Sequence, residues 1–155
     1  VVLNAIDPKA FVRDRGRDAE ARRALGLPAT GTVIGAVGRT EPQKNFPMLI
    51  DVFARVARDV PDVTLVIAGD GSARAGLEAQ GQATGLGPRL RLLGHQHDIA
   101  RVHHALDLFV QSSDYEGTPN AVLEAMAFEN PIVATAAGGT AEIARDGQEA
   151  WIVPC

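Results

Sequence analysis

The sequence predicts an α/β protein built on a doubly wound parallel sheet, and three observations support this fold class. Short apolar runs rich in β-branched residues alternate with helix-like segments along most of the chain. Continuous apolar runs are typical of strands that are buried on both faces of a parallel sheet. Polar and glycine-containing segments follow these runs, and right-handed crossovers would place helices on both faces. We therefore expect one domain in the 155 residues, with a linker and charged helix over 1–31 and the core over 32–155.

The predicted elements follow in order from the amino terminus. A strand-like lead-in at 1–3 and a turn precede the charge-rich segment 13–23, which predicts a short helix with a solvated face, ended by Gly26 and Pro28. The predicted strands are 33–38, 63–68, 90–93, 106–111, 132–135 and 150–153. The predicted helices between them are 46–60, 73–83, 98–105, 119–128 and 140–144.

Composition excludes several classes of function. A net charge of −4 provides no basic field for nucleic acid or anionic lipid, so no nucleic-acid partner is expected. The single cysteine, Cys155, excludes a disulfide framework and allows a reducing compartment, and we expect a cytoplasmic location. No apolar run reaches the roughly 20 residues that span a bilayer. Because the chain starts without methionine in a strand-like segment, we expect it to be part of a longer protein.

The segment 112–127 carries the main candidate site. Thr118 and Pro119 predict the start of a helix that is apolar from Ala121 to Phe128 except for Glu124, and such a helix should be buried. A buried carboxylate requires a partner. Glu116 lies just before the helix, where free N–H groups favour anions. One acid at the mouth and one inside predict a site for a polyhydroxylated anion. The alternative is that Glu124 ties down a loop and Glu116 is solvated.

Other unusual residues fall in loops that follow predicted strands. Arg39 and Lys44 come after the first strand and would suit a diphosphate, although they could also be surface cations. The segment 69–72 could cradle a phosphate or form a simple tight turn, and N–H groups at 138–139 could face an anion. Since sites in parallel sheets lie beyond the carboxyl ends of the strands, these loops predict one composite pocket.

Two other kinds of site are disfavoured. Four histidines, His95, His97, His103 and His104, lack a carboxylate or cysteine at a metal-binding spacing, so we expect no metal. The segment 35–40 lacks the G-x-G-x-x-G pattern of dinucleotide binding, which argues against a nicotinamide oxidoreductase.

Together these residues resemble the nucleotide-binding C-terminal half of GT-B glycosyltransferases, specifically the large retaining family 4, the glycosyl transferases group 1 type. The matching features run in order along nearly the whole chain. They are Gly38-Arg39 with Lys44, 67–71, Leu93-Gly94, Ser113 with Glu116-Gly117, the Glu-x7-Glu spacing from Glu116 to Glu124, 124–127, 131–135, and Gly138-Gly139 with Glu142. The implied fold is a Rossmann-like doubly wound parallel sheet.

The resemblance implies a role for individual residues. Glu124 would bind the ribose hydroxyls, Glu116 would approach the donor sugar, and Arg39 and Lys44 would neutralise the diphosphate of the leaving group. Backbone N–H groups at 120–123 would assist them, and 93–97 would border the base. The implied nucleotide-binding residues are Gly38, Asp70, Gly94, His95, Gly117, Thr118, Pro119, Asn120, Val122, Leu123 and Glu124. The donor would be a nucleoside-diphosphate sugar, used with retention of configuration and without a metal or other cofactor.

The chain departs from the family pattern at two places. Ala5 replaces the usual glycine after Asn4, and Glu129-Asn130 replaces a glycine after the Glu124 helix, where Asn130 could take the left-handed conformation if the helix cap shifts by one residue. The acceptor-binding N-terminal half is missing, so the isolated domain should bind nucleotide weakly and transfer nothing. That half would bind the acceptor sugar, lipid or polysaccharide, and it would decide any peripheral membrane association. The alternatives are a nucleotide-sugar epimerase of GT-B fold or a non-catalytic nucleotide-sugar-binding module.

Overall fold

A computed structural model describes residues 4–7 and 9–155, which form a six-stranded sheet with helices on both faces. The strands are β1 (Thr32–Val37), β2 (Val63–Ala68), β3 (Leu90–Gly94), β4 (Leu108–Gln111), β5 (Ile132–Thr135) and β6 (Trp151–Val153). The helices are α1 (Asp18–Ala24), α2 (Phe46–Asp59), α3 (Arg74–Ala83), α4 (Ile99–Ala105), α5 (Asn120–Ala127) and α6 (Thr140–Ile143). The lead-in expected at 1–3 lies outside the described residues.

The strand order β3-β2-β1-β4-β5-β6, with every pairing parallel, confirms the doubly wound prediction. From β1 the chain first adds β2 and β3 on one side and then β4, β5 and β6 on the other. Where this order reverses, the loops after β1 and β4 leave the sheet on opposite faces and open a crevice. This position between the carboxyl ends of β1 and β4 is where ligands bind in such sheets.

Two apolar cores cover the two faces of the sheet. Successive residues of a strand point to opposite faces, so β2 sends Leu65 and Ile67 into one core and Val66 into the other. The first core contains the apolar face of α2 and Leu77 of α3. The second contains residues of α1, α4 and α5. Burial on both faces explains why the strands are continuous apolar runs.

The predicted bounds of β2 and β5 match the structure, and most other bounds differ by one residue. The prediction for the start of α5 was wrong. Pro119 occupies the N-cap position with φ −77° and ψ 104°, no side chain caps the helix, and Thr118 lies before it. The predicted full burial of this helix was also wrong, because only Val122 and Ala125 within it are buried. Asn120, Ala121 and Glu124 of this helix border the crevice.

The expectation of a solvated face on the charged segment was wrong for two arginines. Arg13 Nη2 lies 2.6 Å from Asp18 Oδ2, and Arg22 Nη2 lies 2.6 Å from Asp107 Oδ2. Both arginine side chains are largely covered, and Arg22 also donates to the carbonyl oxygens of Ala105 and Gly31. These contacts attach the amino-terminal segment to the sheet and to α4.

The expectation for Asn130 was wrong by one residue. Glu129 carries the left-handed conformation, with φ +54°. Asn130 is buried, its N–H donates to the carbonyl oxygen of Ala125, and its side chain donates to α4. The short amide side chain fits the buried position, whereas Glu129 reaches solvent and pairs with Arg15.

Candidate functional site

Two adjoining cavities lie at the carboxyl edge of the sheet. The cavity on the β4 side, about 340 Å³, lies between the loops after β1 and β4 and the start of α5. The cavity on the β2 side, about 440 Å³, lies beyond the ends of β1 and β2. Both are lined by Val37, Gly38, Arg39 and Glu124, so these residues form the border between them. The predicted composite pocket therefore consists of these two connected spaces.

Glu124 lies on α5 at the border of the two cavities, and its side chain is 16% exposed. Its Oε2 lies 3.4 Å from Nε2 of the buried His103 on α4. The partner that the sequence required for this carboxylate is therefore present within the chain. Among the described residues, Oε1 has no hydrogen-bond partner, which leaves that oxygen for a ligand.

Glu116 is more enclosed than Glu124, with 8% of its side chain exposed. Its Oε1 accepts hydrogen bonds from Lys44 Nζ at 2.5 Å and Ser113 Oγ at 2.6 Å, and Gln43 Nε2 lies 3.5 Å from Oε2. The expectation that Glu116 is the outer acid and Glu124 the inner one was therefore wrong. The reason is that Lys44, from the neighbouring loop, folds over Glu116.

The loops after β1 and β4 are bound to each other along their length. The side chain of Gln43 donates from Nε2 to the carbonyl oxygen of Tyr115, and the backbone carbonyl oxygen of Gln43 accepts from the N–H of Asp114. Asn45 Nδ2 donates to Asp114 Oδ1, and Ser112 Oγ donates to the carbonyl oxygen of Lys44. Because these bonds cross the crevice, the two loops hold Lys44 and Glu116 as one unit.

The cations of the site differ in how firmly they are held. Arg39 is exposed and lines both cavities, and its guanidinium has no hydrogen-bond partner among the described residues. Lys44 lines only the cavity on the β4 side and is paired with Glu116. A ligand anion would find an available guanidinium in Arg39 and an ammonium already shared with a carboxylate in Lys44.

The start of α5 offers fewer free N–H groups than expected. The N–H groups of Val122 and Leu123 donate to the carbonyl oxygen of Pro119, at 3.1 and 3.3 Å. Asn120 and Ala121 have no backbone partner in the described part of the chain, and both line the cavity on the β4 side. These two N–H groups therefore remain available where the positive end of the helix macrodipole borders the cavity.

The other predicted site residues divide into two groups. Thr118 and Pro119 line the cavity on the β4 side, and Asp70 and His95 line the cavity on the β2 side. Four residues line neither cavity, and these are Gly94, Gly117, Val122 and Leu123. Gly94 lies beneath the second cavity, where its carbonyl oxygen accepts from the N–H of Gly69.

The segment 69–72 is a tight turn rather than an open phosphate cradle. The N–H of Gly71 donates to Asp70 Oδ1, and the N–H and hydroxyl of Ser72 both donate to Glu41. The hydrogen bonds from Ser72 lower the pKa of Glu41. Since these donors are engaged within the protein, the tight-turn alternative is the correct one.

Gly138 and Gly139 pack against the loop that carries Glu116. A Cβ atom on Gly138 would lie 1.7 Å from the carbonyl oxygen of Glu116, and φ of Gly138 is +52°. The N–H of Gly139 donates to the carbonyl oxygen of Gly117. This N–H therefore fixes the loop after β4 and does not face an anion.

Sequence reasoning missed several residues of the site. Gln43 and Ile99 line the cavities, and they carried no motif that would have singled them out, whereas Ala121 and Gln96 lie within the predicted segments 120–123 and 93–97. His103 was considered only as a metal ligand. Its position beside Val102 on a helix that packs against the sheet was a signal for a buried polar group that must find a partner.

Neither a metal cluster nor a membrane-crossing helix occurs in the described part of the chain. Residues 4–7 and 9–155 contain no group of three histidine, cysteine, aspartate or glutamate side chains arranged to hold a metal ion. In the same ranges, no helix combines the length and the apolar character that a membrane crossing requires.

The site, on a sheet of this topology, corresponds to one class of protein. Residues 17–155 match the family described as glycosyl transferases group 1. The chain belongs to this family.

Curated relatives of the chain include three bacterial proteins. It is 35% identical over 132 residues to the lipopolysaccharide core biosynthesis glycosyltransferase LpsE of Rhizobium meliloti, covering 85% of this chain and 38% of LpsE. It is 32% identical to the mannosyltransferase LpsB of the same organism, covering 96% of this chain and 44% of LpsB. It is 37% identical to a D-inositol 3-phosphate glycosyltransferase of Mycobacterium sp., covering 95% of this chain and 34% of that relative. The chain thus spans less than half the length of each relative.

Solved structures confirm the fold. The chain superposes on Anabaena HepE in complex with UDP and glucose with a TM-score of 0.86 and 28% identity, covering 97% of this chain and 42% of HepE. It superposes on the C-terminal domain of the group 1 glycosyl transferase LpcC from Francisella tularensis with a TM-score of 0.84 and 27% identity, covering 97% and 80%. The fold is Rossmann-like and matches the C-terminal domains of GT-B glycosyltransferases.

Proposed function

We propose that this chain is the donor-binding domain of a retaining glycosyltransferase that binds a nucleoside-diphosphate sugar. The observation that carries the proposal is the arrangement around the two joined cavities. Lys44 and the start of α5 supply positive charge at one end, and the guanidinium of Arg39 and the carboxylate of Glu124 lie at the border with the second cavity. This distribution of charge around the two cavities suits a ligand with an anionic end, a central ring bearing hydroxyls, and a planar base.

The diphosphate occupies the cavity on the β4 side in this proposal. Arg39 binds it through its fork of donors, Lys44 adds a point charge, and the N–H groups of Asn120 and Ala121 point toward it from the helix start. When the bond from the anomeric carbon to the phosphate oxygen breaks, negative charge grows on the diphosphate. Cations that are already in position stabilise that charge without reorganisation, and no metal is required.

Glu124 binds the ribose hydroxyls, and the base enters the cavity on the β2 side near Asp70 and His95. A carboxylate accepts hydrogen bonds from two vicinal hydroxyls, and Oε1 of Glu124 is available for this. The volume of about 440 Å³ is of the size that accommodates small organic ligands.

Glu116, which lines the same cavity as Lys44, approaches the donor sugar in this proposal. Its ion pair with Lys44 couples the residue that approaches the sugar to a residue that neutralises the leaving group. Retention of anomeric configuration is part of the proposal and is supported by the resemblance to the retaining family 4.

The comparisons support the same class of ligand. HepE was solved with UDP and with UDP-glucose, and the curated relatives include a mannosyltransferase and a galactosyltransferase. We further propose that the acceptor is a sugar, lipid or polysaccharide bound by a second, N-terminal domain. The site is then cytoplasmic, where nucleotide sugars are supplied, and any peripheral membrane contact belongs to that second domain.

Calorimetric titration of the chain with UDP and with GDP tests the proposal. Glu124→Ala should weaken binding of the preferred nucleotide about tenfold or more, because two hydrogen bonds to a charged group are lost. Glu20→Ala, on the exposed side of α1, is the matched control and should leave the affinity unchanged. The absence of binding to either nucleotide, or equal affinities for the two variants, would contradict the proposal.

A further inference from the structure

His103 lies directly behind Glu124 and has no contact with solvent. Its side chain is 0% exposed, and its ring stacks on Phe128 with centroids 5.4 Å apart and an interplanar angle of 11°. A polar ring among aromatic side chains is costly unless both of its nitrogens have partners. Nε2 faces Glu124 Oε2 at 3.4 Å, and Nδ1 lies 3.2 Å from Nδ2 of the buried Asn130.

The contacts of Asn130 determine where the proton of the neutral imidazole lies. The same amide atom that meets His103 Nδ1 also lies 3.2 Å from the backbone carbonyl oxygen of His103. A carbonyl oxygen can only accept, so this atom must be the amide nitrogen of Asn130, and Nδ1 must accept from it. The proton of the neutral ring is then on Nε2, directed at Glu124.

We propose that His103, held in its Nε2–H tautomer by Asn130, is a positioning residue for the carboxylate of Glu124. The inference rests on the proposed function, in which Glu124 binds the ribose. By donating to Oε2, the ring fixes one oxygen of the carboxylate and directs Oε1 toward the cavity. Such a donor behind a ligating group orients it, as the partners behind metal-binding histidines do.

The expected effect on binding follows from conformational freedom. A free glutamate side chain must be immobilised when it binds a ligand, at a cost that corresponds to about twofold to tenfold in affinity. Loss of the donor should therefore weaken the ribose contact by about this factor. It should leave the attraction between the cations and the diphosphate unchanged, because Arg39 and Lys44 do not contact His103.

The first experiment measures the tautomer in the chain as it stands. Nitrogen-15 NMR of the histidine side chains at neutral pH should show His103 with a protonated Nε2 and an unprotonated Nδ1, assigned by comparison with His103→Gln. Because this result needs no nucleotide, it tests the inferred geometry independently of the proposed function. A proton on Nδ1 would overturn the inference.

The second experiment separates the ribose contact from the other contacts. The probes are UDP and 2′,3′-dideoxy-UDP. The measured quantity is the affinity for UDP divided by the affinity for 2′,3′-dideoxy-UDP. His103→Phe keeps a ring for stacking but removes the donor, and it should lower the ratio about twofold to tenfold. His103→Gln, whose amide N–H reaches a similar position, should restore part of it. A merely structural role would weaken both probes equally and would leave the ratio unchanged.

Glu124→Ala separates the two possible failures. If it lowers the ratio and His103→Phe does not, the positioning role is overturned and the proposed function stands. If the wild-type chain binds UDP without any preference over the dideoxy analogue, the proposed function of Glu124 fails, and the positioning role fails with it. A lower affinity ratio of UDP to its dideoxy analogue in His103→Phe, partly recovered in His103→Gln, supports both the proposed function and the positioning role.

Discussion

The two acids of the site are held in opposite ways, although they are eight positions apart in the chain. Glu116 is in a loop, and its Oε1 accepts from both Lys44 and Ser113, so this oxygen is committed to the protein, while Oε2 lies 3.5 Å from Gln43 Nε2. Glu124 is on a regular helix, and within the described residues its carboxylate has one hydrogen-bond contact, at 3.4 Å to His103. The loop residue is therefore the rigid one, and the helix residue has the greater capacity to accept from a ligand.

This difference indicates separate tasks for the two regions. The loop after β4 is stabilised by contacts with the loop after β1 and with Gly138-Gly139, so it can hold charge in a defined place. Helix α5 keeps one side toward the cavities and retains unfilled acceptors and donors there. Substitutions in the first region should mainly lower stability, and substitutions in the second should mainly change binding.

The largest loss of stability is expected from Gly138→Ala. The new Cβ would meet the carbonyl oxygen of Glu116 at 1.7 Å and would also force alanine into φ +52°. Overpacking and the left-handed conformation together should lower the free energy of unfolding by about 2–5 kcal/mol. Urea denaturation followed by circular dichroism measures this.

Gly147→Ala is the matched control for that change. Gly147 has φ +69°, and a Cβ added there would meet no atom within 4 Å, so only the left-handed conformation contributes, at about 1–2 kcal/mol. Equal losses in the two variants would show that the loop after β4 does not depend on its close approach to Gly138.

Replacing each of the two acids by alanine should have a smaller effect on the free energy of unfolding, and the two losses should differ. Glu116→Ala leaves Lys44 and Ser113 without their shared acceptor and should cost about 1–3 kcal/mol of unfolding free energy. Glu124→Ala removes one long contact, but it also leaves the buried Nε2–H of His103 without its acceptor, so it should cost about 1 kcal/mol, at the low end of the same range. Urea unfolding of both variants compares them, and a larger loss for Glu124→Ala would reverse the assignment of rigid and available acid.

The smallest expected effect is a gain in stability from a substitution at the end of α5. Glu129 adopts φ +54°, a conformation that glycine takes without strain. Glu129→Gly should raise the free energy of unfolding by about 0.5–1 kcal/mol, after allowance for the exposed ion pair with Arg15. Arg15→Ala measures that ion pair alone by the same method. If Glu129→Gly is less stable than Arg15→Ala, the left-handed residue is not strained.

The sequence contained enough information for the sheet and the place of the site. Burial on both faces leaves a continuous apolar run in each strand, and β2 and β5 were predicted to the residue. The loops at the carboxyl ends could also be predicted to meet, because strand direction determines which loops are neighbours. Arg39, Lys44, Glu116 and Glu124 were therefore expected in one place, and all four line the cavity on the β4 side.

The details of the site depend on side-chain contacts between distant segments, and local patterns do not contain them. Nothing near Glu116 indicates that Lys44 folds over it, and nothing near Glu124 indicates that His103 lies behind it. The cap of α5 was mispredicted for a related reason. Thr118 is a suitable cap by residue type, but the loop that is bound to Gly138-Gly139 leaves Pro119 at that position.

A crystal structure of the chain with bound UDP would test the central claim most directly. We predict that the ribose hydroxyls lie within hydrogen-bonding distance of Glu124 Oε1 and that the diphosphate lies between Arg39 and the N–H groups of Asn120 and Ala121. A nucleotide bound outside the two cavities, or one whose ribose is not in contact with Glu124, would contradict the claim.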